Sequence, residues 1–298
     1  MQIKEFNIPV PWGHVAVKTW GNENDPHILC FHGILDNAGS FNRLIPLLDS
    51  HYYYICVDLP GHGRSSHFPE NLPLYNIDNI IVYMLVAKYF KKEKYLIIGH
   101  SYGGQLAFFF AQVYPELVEK LIMLDTIMMF PLPAKSFKSY IREVYESYLV
   151  MDAKLKKNKQ PEYTYEEALD RLQYKRSYGE VTKEAAEALL ERSIKKLDNG
   201  KYVFTFDQRL KNFTLPLNDI RYKLETLKFN PVSCPILMVL ARDSAIQQVI
   251  LKKVLAALKK SKTIKIVLVN GDHDVHNTNP ERVAPHIRAF LQFKMNKL

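Results

Sequence analysis

The chain has 298 residues, of which 47% are hydrophobic and 24% are charged. That balance excludes wholesale disorder and provides for a large buried core, long for one layered domain and suited to an α/β domain carrying an insertion. A net charge of +9 and a pI near 9.2 raise nucleic acid as a partner. However, the lysines are dispersed, the densest run (Lys154 to Lys159) reads as a solvated face, and no aromatic-and-basic motif accompanies it.

In chain order, Met1 to Pro11 lack an apolar signal core, and no later apolar run is long enough to span a bilayer, so a soluble intracellular protein without stable membrane insertion is expected. Short runs rich in Ile, Val and Leu predict strands at 14–20, 28–31, 53–58, 95–99, 121–125, 236–241 and 264–269. Most are apolar throughout, as strands of a parallel sheet covered on both faces are. Helical spacing marks 74–91, where Ile77, Ile80, Ile81, Met84 and Leu85 recur, and also 103–113 and 246–260. Alternating strand and helix predicts an α/β fold with a mostly parallel sheet and helices on both faces.

The alternation breaks between about 130 and 231. Helical composition dominates there, at 136–150, 165–174 and 183–197. The expected organisation is a core domain of residues 1–129 and 231–298 with a helical cap, 130–230, inserted into it. A cap over the carboxyl ends of the strands would close the site from above. Met128, Met129, Phe130, Phe137 and Tyr140 lie near its start and are read as cap core rather than pocket wall.

The three cysteines follow no spacing motif: Cys30 and Cys56 fall in strands and Cys234 just ahead of one. An odd, scattered set argues against a disulfide framework or a zinc site and for a reducing compartment.

The most informative segment is Tyr95-Leu96-Ile97-Ile98-Gly99-His100-Ser101-Tyr102-Gly103-Gly104-Gln105. It reads as a buried strand, a G-x-S-x-G turn and an amphipathic helix. That order holds a serine on a strained strand-to-helix turn with its hydroxyl exposed and the positive helix end beside it. The positions two before and two after must be small, and they are Gly99 and Gly103. Ser101 is therefore the candidate nucleophile.

Acyl transfer also needs two backbone N–H donors for the developing oxyanion. One is expected from Tyr102. The other is expected from Ile34, after the strand that ends in His32-Gly33. Of ten histidines, His273 follows the last strand, where the chain order nucleophile, acid, histidine places the base. His276 is its nearest competitor, His32 and His62 are expected to shape loops, and His100 to pack beside the sheet. Two carboxylates end strands, Asp125 and Asp243, and either keeps the order Ser, Asp, His.

These residues resemble the serine hydrolase-like proteins, a branch of the α/β-hydrolase superfamily. The resemblance rests on Val10-Pro11-Trp12-Gly13-His14, Phe31-His32-Gly33-Ile34-Leu35-Asp36-Asn37, Asp58-Leu59-Pro60-Gly61-His62-Gly63-Arg64-Ser65-Ser66, Gly99-His100-Ser101-Tyr102-Gly103-Gly104, Leu124-Asp125-Thr126, Asp207-Gln208-Arg209-Leu210 and Gly271-Asp272-His273-Asp274-Val275-His276. It implies the α/β-hydrolase fold with a helical cap and does not supply a substrate. In that fold the acid usually follows the later strand, at a register that falls on Ser244 here. Asp125 matches the alternative placement at the end of the strand before the cap, so it is favoured, with Asp243 second. Relatives with an aspartate nucleophile form an alkyl-enzyme ester, which Ser101 excludes.

The expected activity is that of a serine hydrolase of the carboxylesterase kind. It would act on a small or lipophilic ester, or a thioester or amide, through an acyl-enzyme and without metal or organic cofactor. The partner expected is a small-molecule substrate, not nucleic acid; the sequence is silent on oligomeric state. Two alternatives use the same frame: a weakly active or inactive ligand-binding protein, and a cofactor-free carbon–carbon hydrolase or oxygenase. The expected location is cytoplasmic. Asn296-Lys297-Leu298 resembles a peroxisomal address with its first position changed, which makes the peroxisome the second expectation.

Overall fold

A computed structural model describes residues 1–69, 74–157, 160–177, 179–212, 217–244 and 252–293. The C-terminal tripeptide, Asn158 and Lys159 of the basic run, and the first part of the helix expected at 246–260 lie outside them.

The chain opens with strands β1 (Ile3–Val10), β2 (Gly13–Trp20), β3 (His27–Phe31) and β4 (Tyr53–Val57). Helix α1 (Ile80–Phe90), strand β5 (Tyr95–His100), helix α2 (Ser101–Val113) and strand β6 (Val118–Leu124) follow. The segment after β6 forms α3 (Phe137–Lys157), α4 (Tyr165–Tyr174), α5 (Lys183–Ser193), β7 (Ile194–Lys196), β8 (Tyr202–Phe204) and α6 (Ile220–Phe229). The chain then resumes with β9 (Ile236–Ala241), α7 (Lys252–Leu258), β10 (Ile264–Val269), α8 (Val275–Thr278) and α9 (Ala284–Gln292).

Among the described residues eight strands form one sheet, in the order β1-β2-β4-β3-β5-β6-β9-β10. The pairings from β4 to β10 are parallel, whereas β2 runs antiparallel to β4 and to β1. This is the mostly parallel α/β sheet expected from the alternation of elements. Along each strand alternate side chains enter opposite faces. Leu29, Phe31, Ile97, Leu121 and Met238 pack with Val82 and Val86 of α1 and Leu106 and Phe110 of α2. Ile28, Cys30, Ile98, Ile122 and Leu237 pack with Phe41 and with Ile287 and Phe290 of α9.

Several local readings differ from the sequence expectation: α3 runs on to Lys157, the β7–β8 hairpin and α6 were not foreseen, and three further differences have a plain local cause. Strand β1 was not apparent, because it is an edge strand whose side chains are mostly exposed and carry no apolar run. Helix α1 begins only at Ile80, since turns occupy the residues before it, one of them closed by the Tyr75 N–H donating to Asp78 Oδ2 (3.0 Å). The helix expected to reach 197 stops at Ser193, where the chain turns extended and pairs with β8.

The helical segment has its own apolar cluster, in which Ala168, Leu169 and Leu172 of α4 meet Ala185, Ala186, Leu189 and Leu190 of α5. Polar bonds tie it to the sheet domain. Asn37 Nδ2 donates to Leu189 O and to Ser193 Oγ, both at 2.9 Å. Arg192 is fully buried against Asp58, with Nη2 2.7 Å and Nε 3.0 Å from Oδ2. Asp58 also accepts the N–H groups of Ala38 and Arg64 at 2.7 and 2.8 Å, so one carboxylate joins three stretches of chain. No described helix is long and apolar enough to cross a membrane.

Candidate active site

Strand β5 and helix α2 meet at Ser101, whose φ of 48° lies in the left-handed region. A non-glycine residue held there costs roughly 1–2 kcal/mol and persists only where its surroundings impose it. The surroundings are two glycines. A Cβ on Gly99 would lie 2.5 Å from Gly104 Cα, and one on Gly103 2.3 Å from Phe31 O. The turn is thus as tight as the motif requires, and the main chain of α2 lies directly on the end of β3. Gly103 N–H donates to His32 O (3.1 Å), which brings the stretches bearing Ile34 and Tyr102 side by side. The Tyr102 hydroxyl, which accepts from Asn79 Nδ2 at 2.9 Å, anchors the same turn to the start of α1.

The hydroxyl of Ser101 is 2.9 Å from His273 Nε2, and His273 Nδ1 is 2.6 Å from Asp125 Oδ2. All three residues are buried. Asp125 is also in the left-handed region, with φ 43°, and its other oxygen accepts the Ala241 N–H at 2.8 Å. That bond couples the carboxylate to the end of the neighbouring strand β9 and leaves Oδ2 turned to the imidazole. Asp243 is exposed, and its Oδ2 accepts the Gly271 N–H at 3.3 Å, so it shapes the start of the histidine loop.

The other histidines differ in their surroundings. Burial holds His32 down to about 4, His62 to about 3 and His276 to about 4, with like charge adding to the effect at His62 and His276, so they are neutral near pH 7. His32 bridges Gly33 O and the Leu59 N–H at 2.7 and 2.9 Å, and His62 Nδ1 bonds Pro60 O at 3.0 Å, as expected of residues that shape loops. The His276 ring lies tilted against that of His100, with centres 4.0 Å apart, and among the described residues neither of its ring nitrogens has a hydrogen-bond partner. His100 does more than pack beside the sheet, since its Nε2 bonds His273 O at 3.0 Å and ties the serine turn to the histidine loop. At His273 burial again lowers the basicity. It is outweighed by the hydrogen bond to Asp125 and the charges of Asp274, Asp125 and Asp36, which raise its pKa above 6.5.

A buried ion cluster that the sequence reading did not identify lies beside the site. Arg176, from the turn between α4 and α5, places Nη1 2.8 Å from Asp36 Oδ1 and Nη2 3.0 Å from Asp274 Oδ1. Asp36 is two residues past Ile34, and Asp274 follows His273. Two carboxylates share one guanidinium, and the load falls unequally. Burial pushes Asp36 up to about 6, while Arg176 and the neighbouring histidines hold Asp274 below the usual carboxylate range despite its burial. Oxygens of Asp36 and Asp274 and a nitrogen of His100 lie within 4.8 Å of one another, a spacing that would suit a metal ion. The Arg176 guanidinium already supplies the positive charge between those two carboxylates. Both acids lie in segments noted above, but their partner sits in the helical segment, where no spacing signal marked it.

Together, an oriented hydroxyl, an imidazole on its oxygen, a carboxylate on the imidazole and a helix N-terminus behind the serine are the parts that acyl transfer uses.

The family described as "alpha/beta hydrolase fold" matches residues 26–280. The chain is 35% identical over 296 residues to a serine hydrolase-like protein of Danio rerio, a match covering 97% of this chain and 88% of that protein. It is 33% identical over 304 aligned residues to serine hydrolase-like protein 2 of Homo sapiens, covering 97% and 94%. Among solved structures, a hypothetical protein of Pseudomonas aeruginosa PAO1 is similar with a TM-score of 0.83 at 27% identity, covering 97% of this chain and all of that one.

Proposed function

The chain belongs to the serine hydrolase-like proteins of the α/β-hydrolase fold family, and from that footing we propose a serine hydrolase cleaving small or lipophilic carboxylic esters, with thioesters and amides as further acyl donors. The observation that carries this reading is the unbroken chain of contacts Ser101 Oγ to His273 Nε2 (2.9 Å) and His273 Nδ1 to Asp125 Oδ2 (2.6 Å).

In the first half-reaction Ser101 Oγ attacks the carbonyl carbon while its proton passes to His273 Nε2. Asp125 accepts from Nδ1–H, fixing the tautomer that leaves Nε2 free to act as base, and offsets the imidazolium charge. The N–H groups of Ile34 and Tyr102 receive the oxyanion, an arrangement in which one donor is worth roughly 10²–10³ in rate. The imidazolium then gives its proton to the leaving oxygen, the carbon–oxygen bond breaks, and an acyl-Ser101 ester remains. In the second half a water molecule loses a proton to His273 as it adds to the acyl carbon; the bond from that carbon to Ser101 Oγ then breaks, His273 returns the proton to Oγ, and the acid leaves. Residues 130–230 serve as the cap in this reading. Their separate apolar cluster and the Arg176 and Arg192 ion pairs support that role.

The test is a broad fluorophosphonate probe on the wild type beside Ser101→Ala, with turnover of p-nitrophenyl esters in parallel. Labelling and turnover that both vanish in Ser101→Ala are expected. A folded wild type that takes no label would overturn the reading and favour a ligand-binding protein.

A further inference from the structure

A cavity of about 480 Å³ separates the helical segment from the loop after β3, a size typical of small-molecule sites. Ile34 and Leu35 form its wall on the sheet side, so it reaches the loop that carries the proposed oxyanion donor. Its lining also carries Arg171, Lys175 and Lys211, with no Asp or Glu among the described residues. Among the described residues none of these three cations pairs with a carboxylate, whereas Arg176 beside them is held by Asp36 and Asp274.

Two of the cations are held in place by neutral groups. The Arg171 guanidinium lies 4.8 Å from the Tyr163 ring centre. Lys211 Nζ lies 5.1 Å from that of Phe206 and donates to Gln208 Oε1 at 2.8 Å. Aromatic faces stabilise cations without neutralising them. The charge thus remains for another group to meet, and burial together with the Arg171 charge lowers the pKa of Lys211. Arg171, Lys175 and Lys211 are each exposed to solvent and at the same time line an aromatic-walled cavity that ends on the loop bearing Ile34.

We propose that this cavity seats an anionic group of the substrate, making the preferred substrates esters or thioesters whose acyl or leaving part carries a carboxylate or phosphate. This rests on the serine hydrolase reading for the reaction but not for the binding. Neutral esters reach the same serine and lack the second anchor. Arg171, Lys175 and Lys211 are specificity residues and touch no reacting atom.

The test uses folded Ser101→Ala protein, which requires no turnover, titrated by calorimetry with three probes. Monobenzyl adipate ends in a carboxylate, benzyl 6-phosphonohexanoate in a phosphonate, and benzyl methyl adipate is the neutral analogue. At least one anion should bind about tenfold more tightly than the diester, and the advantage should shrink between about 0.02 and about 0.5 M salt, because the cations are exposed enough to be screened. Which anion binds better identifies the group. Adding Arg171→Gln and Lys211→Gln should abolish the advantage. Equal binding of anions and diester, or an advantage that survives both substitutions, overturns the inference. Fluorophosphonate labelling of the wild type is scored separately, so a failure here is distinguishable from a failure of the hydrolase reading.

Discussion

Asp125 and His273 meet 2.6 Å apart although 148 positions separate them in the chain, and the contact joins the carboxyl ends of β6 and β10 across the intervening β9. The other oxygen of Asp125 is bonded to the Ala241 N–H, so the carboxylate cannot turn away without losing a buried bond. Asp125→Asn keeps the shape and removes the charge, and the amide favours the wrong imidazole tautomer. The fluorophosphonate labelling rate should fall about 10³–10⁴-fold. Asp243→Asn changes an exposed loop residue and should leave that rate within about twofold, a surface substitution away from the imidazole. The reverse ordering would move the acid to the loop after β9.

The pH response of His273 has opposite signs for activity and for stability. Its pKa is raised above 6.5 in the folded chain, so folding tightens its hold on the proton. Its contribution to stability is therefore full below pH 6.5 and is lost as pH rises through the raised value. Attack by Ser101 needs the neutral ring and grows through the same interval. The acid limb of the labelling-rate profile is expected above pH 6.5 and should move toward acid in Asp274→Asn, which removes one of the charges that raise it. A wild-type limb at or below the ordinary histidine value would contradict the arrangement.

Arg176→Ala would leave Asp36 and Asp274 buried beside each other without their shared cation. Breaking such a pair from one side costs about 3–5 kcal/mol, which urea unfolding would register as a lower midpoint at unchanged slope. Replacing all three residues by neutral side chains of similar volume should cost less than the single change, because no charge is then left uncompensated. A single variant as stable as the wild type would show that the guanidinium is not what links the segment to the sheet domain.

Ser101→Gly should raise stability while abolishing labelling. Glycine occupies φ near 48° without the steric cost that serine carries. The gain expected is about 1 kcal/mol, reduced by the extra freedom of glycine in the unfolded chain. Ser101→Ala keeps the Cβ and the strain, and thus separates loss of the hydroxyl from release of the backbone.

The parts of the site that sequence made visible are those fixed by local geometry. Gly99, Ser101 and Gly103 sit within one turn, and the clash a Cβ would meet at either glycine is between segments the strand-turn-helix order already brings together. The apolar runs of β5, β6 and β9 are buried on both faces and so carry an unbroken signal. Strand β1 was invisible because an edge strand need not be apolar. Whether Asp125 or Asp243 faces the histidine was open for a related reason: both end strands, and only the hydrogen bonds that each makes across the sheet tell them apart.

The alternating α/β frame, the strained serine turn and the late histidine loop are thus legible in the chain, because each depends on residues close together or on burial of a continuous apolar run. The remaining contacts arise only when the chain folds, and folding does three things. It selects which carboxylate meets His273, sets Arg176 between Asp36 and Asp274, and gathers Arg171 and Lys211 around one cavity. Those pairings join residues far apart in the chain, and a charge of either sign carries no mark in the sequence of the partner that neutralises it once both are buried.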